Sequence, residues 1–258
     1  MIRNLQANRA KSLPPREPLS KPRRSTHRSP ARFLGRMAEG ASAAIFPGFV
    51  DPCVPIERKV PPSGEDWLHE IKHDGYRAQA HFHDDKAAVF TRRGNDWASR
   101  MPTIAASIRA LPVNNVILDG ELVAVDAEGQ AVFYELPSAI TTKPTRVKAR
   151  LIYYAFDLLY LDGFDLRGAP LTDRKRVLQT LLEGTSGVQL IKYVDYICGD
   201  GDLVFEHACK LGLEGVVSKR TDSTYRSGRC NDWVKVKSPE WRERNRDRFE
   251  KMRRTSPR

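Results

Sequence analysis

Between residues 46 and 237, short runs of alternating apolar and polar residues are separated by Gly, Asp and Pro. Trp67–Lys72, Tyr76–Phe82 and Ala87–Arg92 predict three consecutive strands, split at Asp74-Gly75 and Asp84-Asp85. Alternation with period two suits a half-buried strand, and Asp/Gly pairs suit turns. Ile104, Ile108 and Leu111 fall on one helical face and predict a helix over Pro102–Leu111. Strand patterns return at Val116–Leu118, at Leu122–Val125, and from Leu151 through Tyr154, Phe156 and Leu158. Thr172 is placed to cap a helix over Asp173–Leu182, and a second helix is expected over Leu203–Leu211. Strands at Val216–Ser218 and Trp233–Lys237 close the set. Many strands, few helices and no βαβ rhythm predict an α+β fold of antiparallel β-sheets with flanking helices.

The flanks have a different texture. Residues 1–42 mix prolines and arginines with Ser and Thr and show no apolar period, so they read as a disordered basic arm. That arm could seek DNA, precede a true start at Met37, or act as a transit peptide. Residues 43–238 form the folded domain, and 239–258 a charged basic tail with a helix candidate at Glu240–Arg254. The net charge of +11 points to a polyanionic partner, because lysines and arginines that neutralise phosphates release counterions. No apolar run approaches the roughly 18 residues of a membrane helix, so neither a membrane nor export is expected. Cys53, Cys198, Cys209 and Cys230 are scattered without a C-x-x-C pair and read as reduced thiols.

Candidate chemistry concentrates in His69-Glu70-Ile71-Lys72-His73-Asp74-Gly75-Tyr76-Arg77. The segment contains H-E-x-x-H, which binds zinc only when a helix brings both histidines to one face. Pro61, Pro62 and Gly64 before it and Asp74-Gly75 after it argue against that helix. As a strand, it places Glu70 and Lys72 on one face and His69, Ile71 and His73 on the other. Lys72 would then lie beside a carboxylate and near Arg77. A neighbouring cation or partial burial lowers a lysine's pKa and frees its lone pair for attack. The alternative is an ordinary surface lysine. His81 and His83 read as exposed strand histidines, and Trp67, Trp97 and Trp233 as packing residues.

Lys72 to Arg77 matches K-x-D-G-x-R, and further motifs follow in order. They are Thr91-Arg92-Arg93-Gly94, Asp119-Gly120-Glu121, Ala155-Phe156-Asp157-Leu158-Leu159, Glu214-Gly215-Val216-Val217-Ser218-Lys219, and Trp233-Val234-Lys235-Val236-Lys237. This ordered set resembles the nucleotidyltransferase (adenylation) domain of ATP-dependent DNA ligases, closest in wording to the ligase domain of bacterial non-homologous end-joining enzymes. The resemblance implies a covalent nucleotidyltransferase, ATP-grasp-like fold and DNA ligase (ATP) activity, EC 6.5.1.1. It implies ATP as AMP donor, Mg²⁺ or Mn²⁺, and DNA with a nick or break as substrate in repair or recombination. By the same resemblance, Lys72 takes AMP from ATP. Lys219, Lys235 and Lys237 contact the nucleotide, and the last two are the α-phosphate partners. Arg77 and Arg92 bind ribose or phosphate, Phe156 stacks on adenine and Glu70 lies near the adenine edge. Glu121 and Glu214 hold metal or organise the ribose and lysine network.

Ligases of this family carry an OB-fold domain after K-x-K, and residues 238–258 are too few to form one. Sealing could then rest on the core alone, on the basic tails, or on end-joining proteins or a separate polypeptide that replaces the OB domain, in a cytoplasmic, nucleoid-associated bacterial setting. Two other functions fit part of the pattern: an RNA ligase or capping-type transferase, and a non-catalytic nucleic-acid-binding relative.

Overall fold

The computed structural model describes residues 30–140, 149–185 and 188–246. Most of the basic arm, and the tail after residue 246, lie outside the described residues. Among the described residues the first elements are helix α1 (Pro30–Arg36) and strands β1 (Ser42–Ala43), β2 (Cys53–Glu57), β3 (Gly64–Ile71), β4 (Tyr76–His83) and β5 (Lys86–Thr91). There follow α2 (Pro102–Arg109), β6 (Val116–Val125), α3 (Leu136–Ala139), β7 (Arg150–Leu161), β8 (Phe164–Asp165) and α4 (Leu171–Glu183). The last described elements are β9 (Ile191–Tyr193), β10 (Tyr196–Gly199), α5 (Gly201–Lys210), β11 (Gly215–Arg220), β12 (Gly228–Lys237) and α6 (Pro239–Arg244).

These strands make two sheets, one ordered β1-β8-β7-β6-β4-β5 with β9 alongside β7, the other β10-β3-β11-β12-β2. The pairing is antiparallel except at β7–β9 and β12–β2. The α+β expectation therefore holds. A large apolar core, including Ile104, Ile108, Leu118, Tyr153, Leu158, Val177 and Leu178, joins α2 and α4 to the first sheet. A smaller cluster of Leu68, Ile117, Leu159, Tyr225 and Trp233 binds the two sheets together. Val204, Ala208, Val216, Val234 and Val236 seat α5 on the second sheet. Each fully buried aliphatic side chain of this kind stabilises the fold by about 1.5–3 kcal/mol. No helix among the described residues is long and apolar enough to cross a membrane.

Several boundaries differ from the sequence reading. Residues 30–36, assigned to the disordered arm, are helical, and Ala31 and Ala38 are buried against the first sheet and its helices. The expected pair of strands around Asp119-Gly120-Glu121 is one continuous strand, β6. Gly120 is there for close packing, since a Cβ on it would meet the Tyr153 ring at 2.5 Å and the Tyr154 carbonyl oxygen at 2.6 Å. Thr172 does not cap α4; the cap position is Pro170, and the Thr172 N–H donates to the Thr221 carbonyl instead. The tail helix begins at Pro239, where the Ser238 hydroxyl accepts from the Trp241 N–H, and Trp241 is buried. His81 is buried rather than exposed, with its ring edge-on to Phe90, and burial holds it neutral with a pKa of about 3.

Candidate active site

A cavity of about 730 Å³ opens between the two sheets. The K-x-D-G segment forms part of its wall because β3 ends at Ile71 and β4 begins at Tyr76 across the gap. The link must turn tightly against β6. A Cβ on Gly75 would lie 2.1 Å from the Leu122 carbonyl oxygen and 2.9 Å from Glu121 Cγ, so glycine is required there by close contact. The Lys72 backbone N–H donates to the Gly215 carbonyl at 2.9 Å, which fixes where its side chain starts.

Lys72 Nζ lies 2.8 Å from Glu214 Oε2, and Lys237 Nζ lies 2.8 Å from Glu214 Oε1. Glu214 thus bridges the lysine at the end of β3 to the lysine at the end of β12. Gly215 makes that approach possible. Its φ is +144°, and a Cβ there would lie 2.0 Å from the Val236 carbonyl oxygen. The Lys72 side chain keeps 21% of its exposure, enough for a reactant to reach it. Val234 and Val236 point into the sheet packing, which leaves Lys235 and Lys237 on the other face, as alternation predicted. Lys235 lines the cavity and pairs with Glu57 at 3.6 Å; burial and the neighbouring cations lower its pKa, against the pull of Glu57.

At the inner end, Glu70 is almost completely buried between two lysines. Its Oε1 lies 2.5 Å from Lys175 Nζ and its Oε2 lies 2.5 Å from Lys219 Nζ. Lys219 also sits over the faces of Phe156 and Trp233, at 4.5 and 4.2 Å from the ring centroids. Burial lowers the Lys219 pKa, opposed by Glu70. Phe156 is the extra residue of a β-bulge. Asp119 pairs with Asp157 and Gly120 with Ala155, leaving Phe156 unpaired and free to aim into the cavity. Its ring meets Trp233 edge-on at 6.1 Å.

Arg77 lines the same space but is held firmly from behind. Its Nε donates to Asp119 Oδ1 at 3.1 Å, Nη2 to Asp119 Oδ2 at 2.6 Å, and Nη1 to the Cys53 carbonyl at 2.5 Å. The Tyr225 hydroxyl donates to Asp119 Oδ2 at 2.6 Å. Burial works against the guanidinium charge, but the Asp119 carboxylate outweighs it and holds the Arg77 pKa above its ordinary value. Glu121, opposite Arg77 across the β4–β6 pair, lines the cavity. Burial raises its pKa to about 7 against the pull of Lys72 and Arg77, and Glu214 and Asp119 add to the rise. Arg92 and Arg93 reach the cavity rim from the turn after β5 and are exposed.

The cavity therefore gathers Lys72, Glu70, Arg77, Arg92, Glu121, Phe156, Lys219 and Lys235. Glu214 and Lys237 join through their contacts with Lys72. Arg93 and Asp119 stand within the quoted motifs without an assigned role, and Lys175 and Tyr225 lie outside them. The H-E-x-x-H alternative fails on geometry. His69 lies on a strand, with Nδ1 2.8 Å from Ser218 Oγ, and His73 stacks on Tyr154 at 4.1 Å, with burial lowering its pKa to about 4. Trp233 is buried packing, as expected, but it also walls the cavity, as does Trp97.

Among the described residues, no cluster of three or more His, Cys, Asp and Glu side chains could hold a metal by itself. Mg²⁺ commonly needs only one or two protein carboxylates when phosphates and waters complete its shell. Glu121 fits that demand. Both oxygens of Glu214 carry lysines, so a metal there would compete with two ammonium groups.

Comparison with known proteins agrees with this geometry. A family model described as ATP dependent DNA ligase domain matches residues 47–237. The multifunctional non-homologous end joining protein LigD of Pseudomonas aeruginosa is 36% identical over 216 residues, which cover 84% of this chain and 25% of that protein. A probable DNA ligase of Beutenbergia cavernae is 39% identical over 172 residues, covering 65% of this chain and 33% of its own length. Among solved structures, a mycobacterial DNA ligase D complexed with ATP and MES superposes with a TM-score of 0.63 at 34% identity, covering 72% of this chain and 59% of that one. The ligase domain of M. tuberculosis LigD gives 0.62 at 34% identity, with 72% and 58% covered. The chain spans a quarter of the LigD sequence and a third of the Beutenbergia sequence.

Proposed function

Because this chain belongs to the ATP-dependent DNA ligase family and carries its adenylation domain, we propose that it seals DNA breaks through a lysyl-AMP intermediate formed on Lys72. Lys72 Nζ attacks the α-phosphorus of ATP, a P–N bond forms, and pyrophosphate leaves with the electrons of the broken P–O bond. The AMP then passes to a 5′-phosphate at a nick, and the adjacent 3′-hydroxyl displaces it. Attack needs the neutral amine, and Glu214, 2.8 Å away, is the carboxylate in place to take up its proton. These are phosphoryl transfers, so positioning and charge neutralisation carry the rate.

The roles follow from position. Glu70 and Lys219 present an acceptor and a donor side by side at the inner end, which complements the N6 amine and N1 acceptor of adenine. Phe156 provides the stacking face. Arg77 and Arg92 serve the ribose and phosphates, with Lys235 and Lys237 at the α-phosphate. A bound Mg²⁺ would shield the phosphates, held by Glu121 with Glu214 close by. Nicked or broken DNA as substrate, the DNA ligase (ATP) class EC 6.5.1.1, end-joining partners and a bacterial cytoplasmic, nucleoid-associated location belong to the same proposal. The proposal takes residues 43–238 as the catalytic unit, and Ala31 of α1 joins the same core. The comparisons do not favour the RNA-ligase, capping or non-catalytic readings.

The observation that carries the proposal is the placement of Lys72 and the Glu214–Lys237 bridge at one cavity wall, with Glu70, Lys219 and Phe156 at its inner end. Incubation with α-labelled ATP and Mg²⁺, followed by addition of nicked DNA, tests it. Label is expected on the protein and then on the DNA, with none on Lys72→Ala. Label retained by Lys72→Ala would refute the lysine assignment.

A further inference from the structure

Lys175 belongs to none of the motifs that carry the family resemblance, and it does not line the cavity. It lies in the second turn of α4 and is fully buried. Lysine is rarely buried in this way without a partner. Its ammonium lies 2.5 Å from Glu70 Oε1, donates to the Val194 carbonyl at 2.9 Å, and sits over the rings of Tyr193 and Tyr196 at 4.6 and 5.2 Å. Lys219 takes the other oxygen of the same carboxylate. Each oxygen of Glu70 therefore has its own ammonium, one behind the cavity wall and one in it.

Two ammonium groups and one carboxylate carry a net charge of +1, which a simple Glu–Lys pair would not. In a simple pair, the buried carboxylate and ammonium satisfy each other and turn together, closing the donor away from a ligand. With Oε1 tied to Lys175, the carboxylate plane is fixed from the α4 side. Oε2 is then left to Lys219, which lines the cavity and whose Nζ, beyond that ion pair, has no hydrogen-bond partner among the described residues. That orientation matters for base choice. Adenine offers a donor at N6 beside an acceptor at N1, whereas guanine offers an acceptor at O6 beside a donor at N1. An acceptor–donor pair held in one order accepts the first and opposes the second at both atoms.

We infer that Lys175 is a positioning residue for base selection: through its contact with Glu70 Oε1 it holds the Glu70–Lys219 pair in the order that matches adenine and rejects guanine. This rests on the adenylation reading above. Lys175 acts through Glu70 and stands outside the cavity lining.

The test compares Lys175→Met, Lys175→Gln and Lys175→Arg with the parent chain in covalent AMP and GMP transfer, using labelled ATP and GTP. Lys175→Met leaves Glu70 and Lys219 charge-balanced, so no orphan charge is buried. It is expected to raise the KM for ATP about tenfold and to lower the ATP-over-GTP preference in kcat/KM by about tenfold or more, the scale of one charge-assisted hydrogen bond. Its kcat at saturating ATP is expected to stay within a few-fold. Lys175→Arg and Lys175→Gln, which can still donate to Glu70, are expected to recover part of the preference. Loss of packing alone would change melting or KM without moving the base preference, so an unchanged ATP-over-GTP ratio in folded Lys175→Met overturns the inference. If Lys175→Met does not fold, Lys175→Leu, which likewise cannot donate to Glu70, decides in the same way. Absence of nucleotide transfer by the parent chain would instead bring down the adenylation reading, and this inference with it.

Discussion

Replacing Asp119 with Asn isolates the clamp that holds Arg77 at the cavity. Asp119 is completely buried, and its two oxygens accept from Arg77 Nε, Arg77 Nη2 and the Tyr225 hydroxyl. An amide offers one oxygen where the carboxylate offers two, and its NH2 group would face a donor. Arg77 would keep the Cys53 carbonyl, a long contact to the Tyr225 hydroxyl, the faces of Phe156 and Trp233 and at most one amide oxygen, but no counter-charge at position 119. Removing one partner of a buried ion pair costs about 3–5 kcal/mol, because the surviving charge stays buried without compensation. The Arg77 side chain retains 16% exposure, so water relieves part of that charge and the lower end, about 3 kcal/mol, is expected. For a domain of this size that corresponds to a fall in melting temperature of roughly 6–12 °C. The pair couples strongly only if each single change leaves an orphan. Urea unfolding of Asp119→Asn, Arg77→Met and the double variant measures this directly, and the double is expected to cost clearly less than the sum of the singles. Additive costs, or an Asp119→Asn chain within about 1 kcal/mol of the parent, would refute the account of the clamp.

Other expectations are independent of that clamp. Glu121 titrates near pH 7 in the folded state against an ordinary value of 4.5, so the folded chain binds more protons between those limits and loses stability as pH rises through them. Glu121→Gln is expected to flatten that decline and to melt above the parent at pH 8; a parallel decline in both chains would contradict the burial of that carboxylate. Gly215→Ala places a Cβ against the Val236 carbonyl at a φ of +144°, so it is expected to cost about 1–3 kcal/mol and to impair AMP transfer by displacing Glu214. Wild-type melting behaviour with full AMP transfer would count against it. Glu70→Gln leaves Lys175 and Lys219 buried with no carboxylate between them, and a melting temperature unchanged from the parent would show that these charges are not coupled as described. Purified protein is expected to hold no stoichiometric zinc and to melt identically after chelation, since His69 and His73 are occupied elsewhere; bound zinc would revive the H-E-x-x-H reading.

The parts of the site that were legible in the sequence are those whose meaning is local. Lys72 with Asp74-Gly75, Glu214-Gly215 and Lys235-x-Lys237 each work through spacing along one strand or turn, and period-two alternation places Lys235 and Lys237 on one face without reference to anything distant. What was missed comes from the packing of remote elements. Lys175 reads as an ordinary polar position of an amphipathic helix until α4 is laid beneath the Glu70 strand. Asp119 falls in the gap between two expected strands, but Gly120 beside it admits the Tyr153 ring, the strand runs on, and the aspartate carboxylate reaches Arg77 on the neighbouring strand. Strand β2 escaped notice because Pro55 interrupts its pattern, and a proline lacking an N–H is tolerated at the sheet's edge. Helix α1 was hidden by the prolines and arginines around it, and its contacts are with β7, β8 and α4, far along the chain.

Peptide mapping of the chain after incubation with ATP and Mg²⁺ tests the central claim most directly. The account predicts one AMP adduct, on the peptide containing Lys72 and bonded through Nζ, discharged when nicked DNA is added. An adduct on Lys219, Lys235 or Lys237 instead, or an adduct on Lys72 that nicked DNA leaves in place, would contradict it.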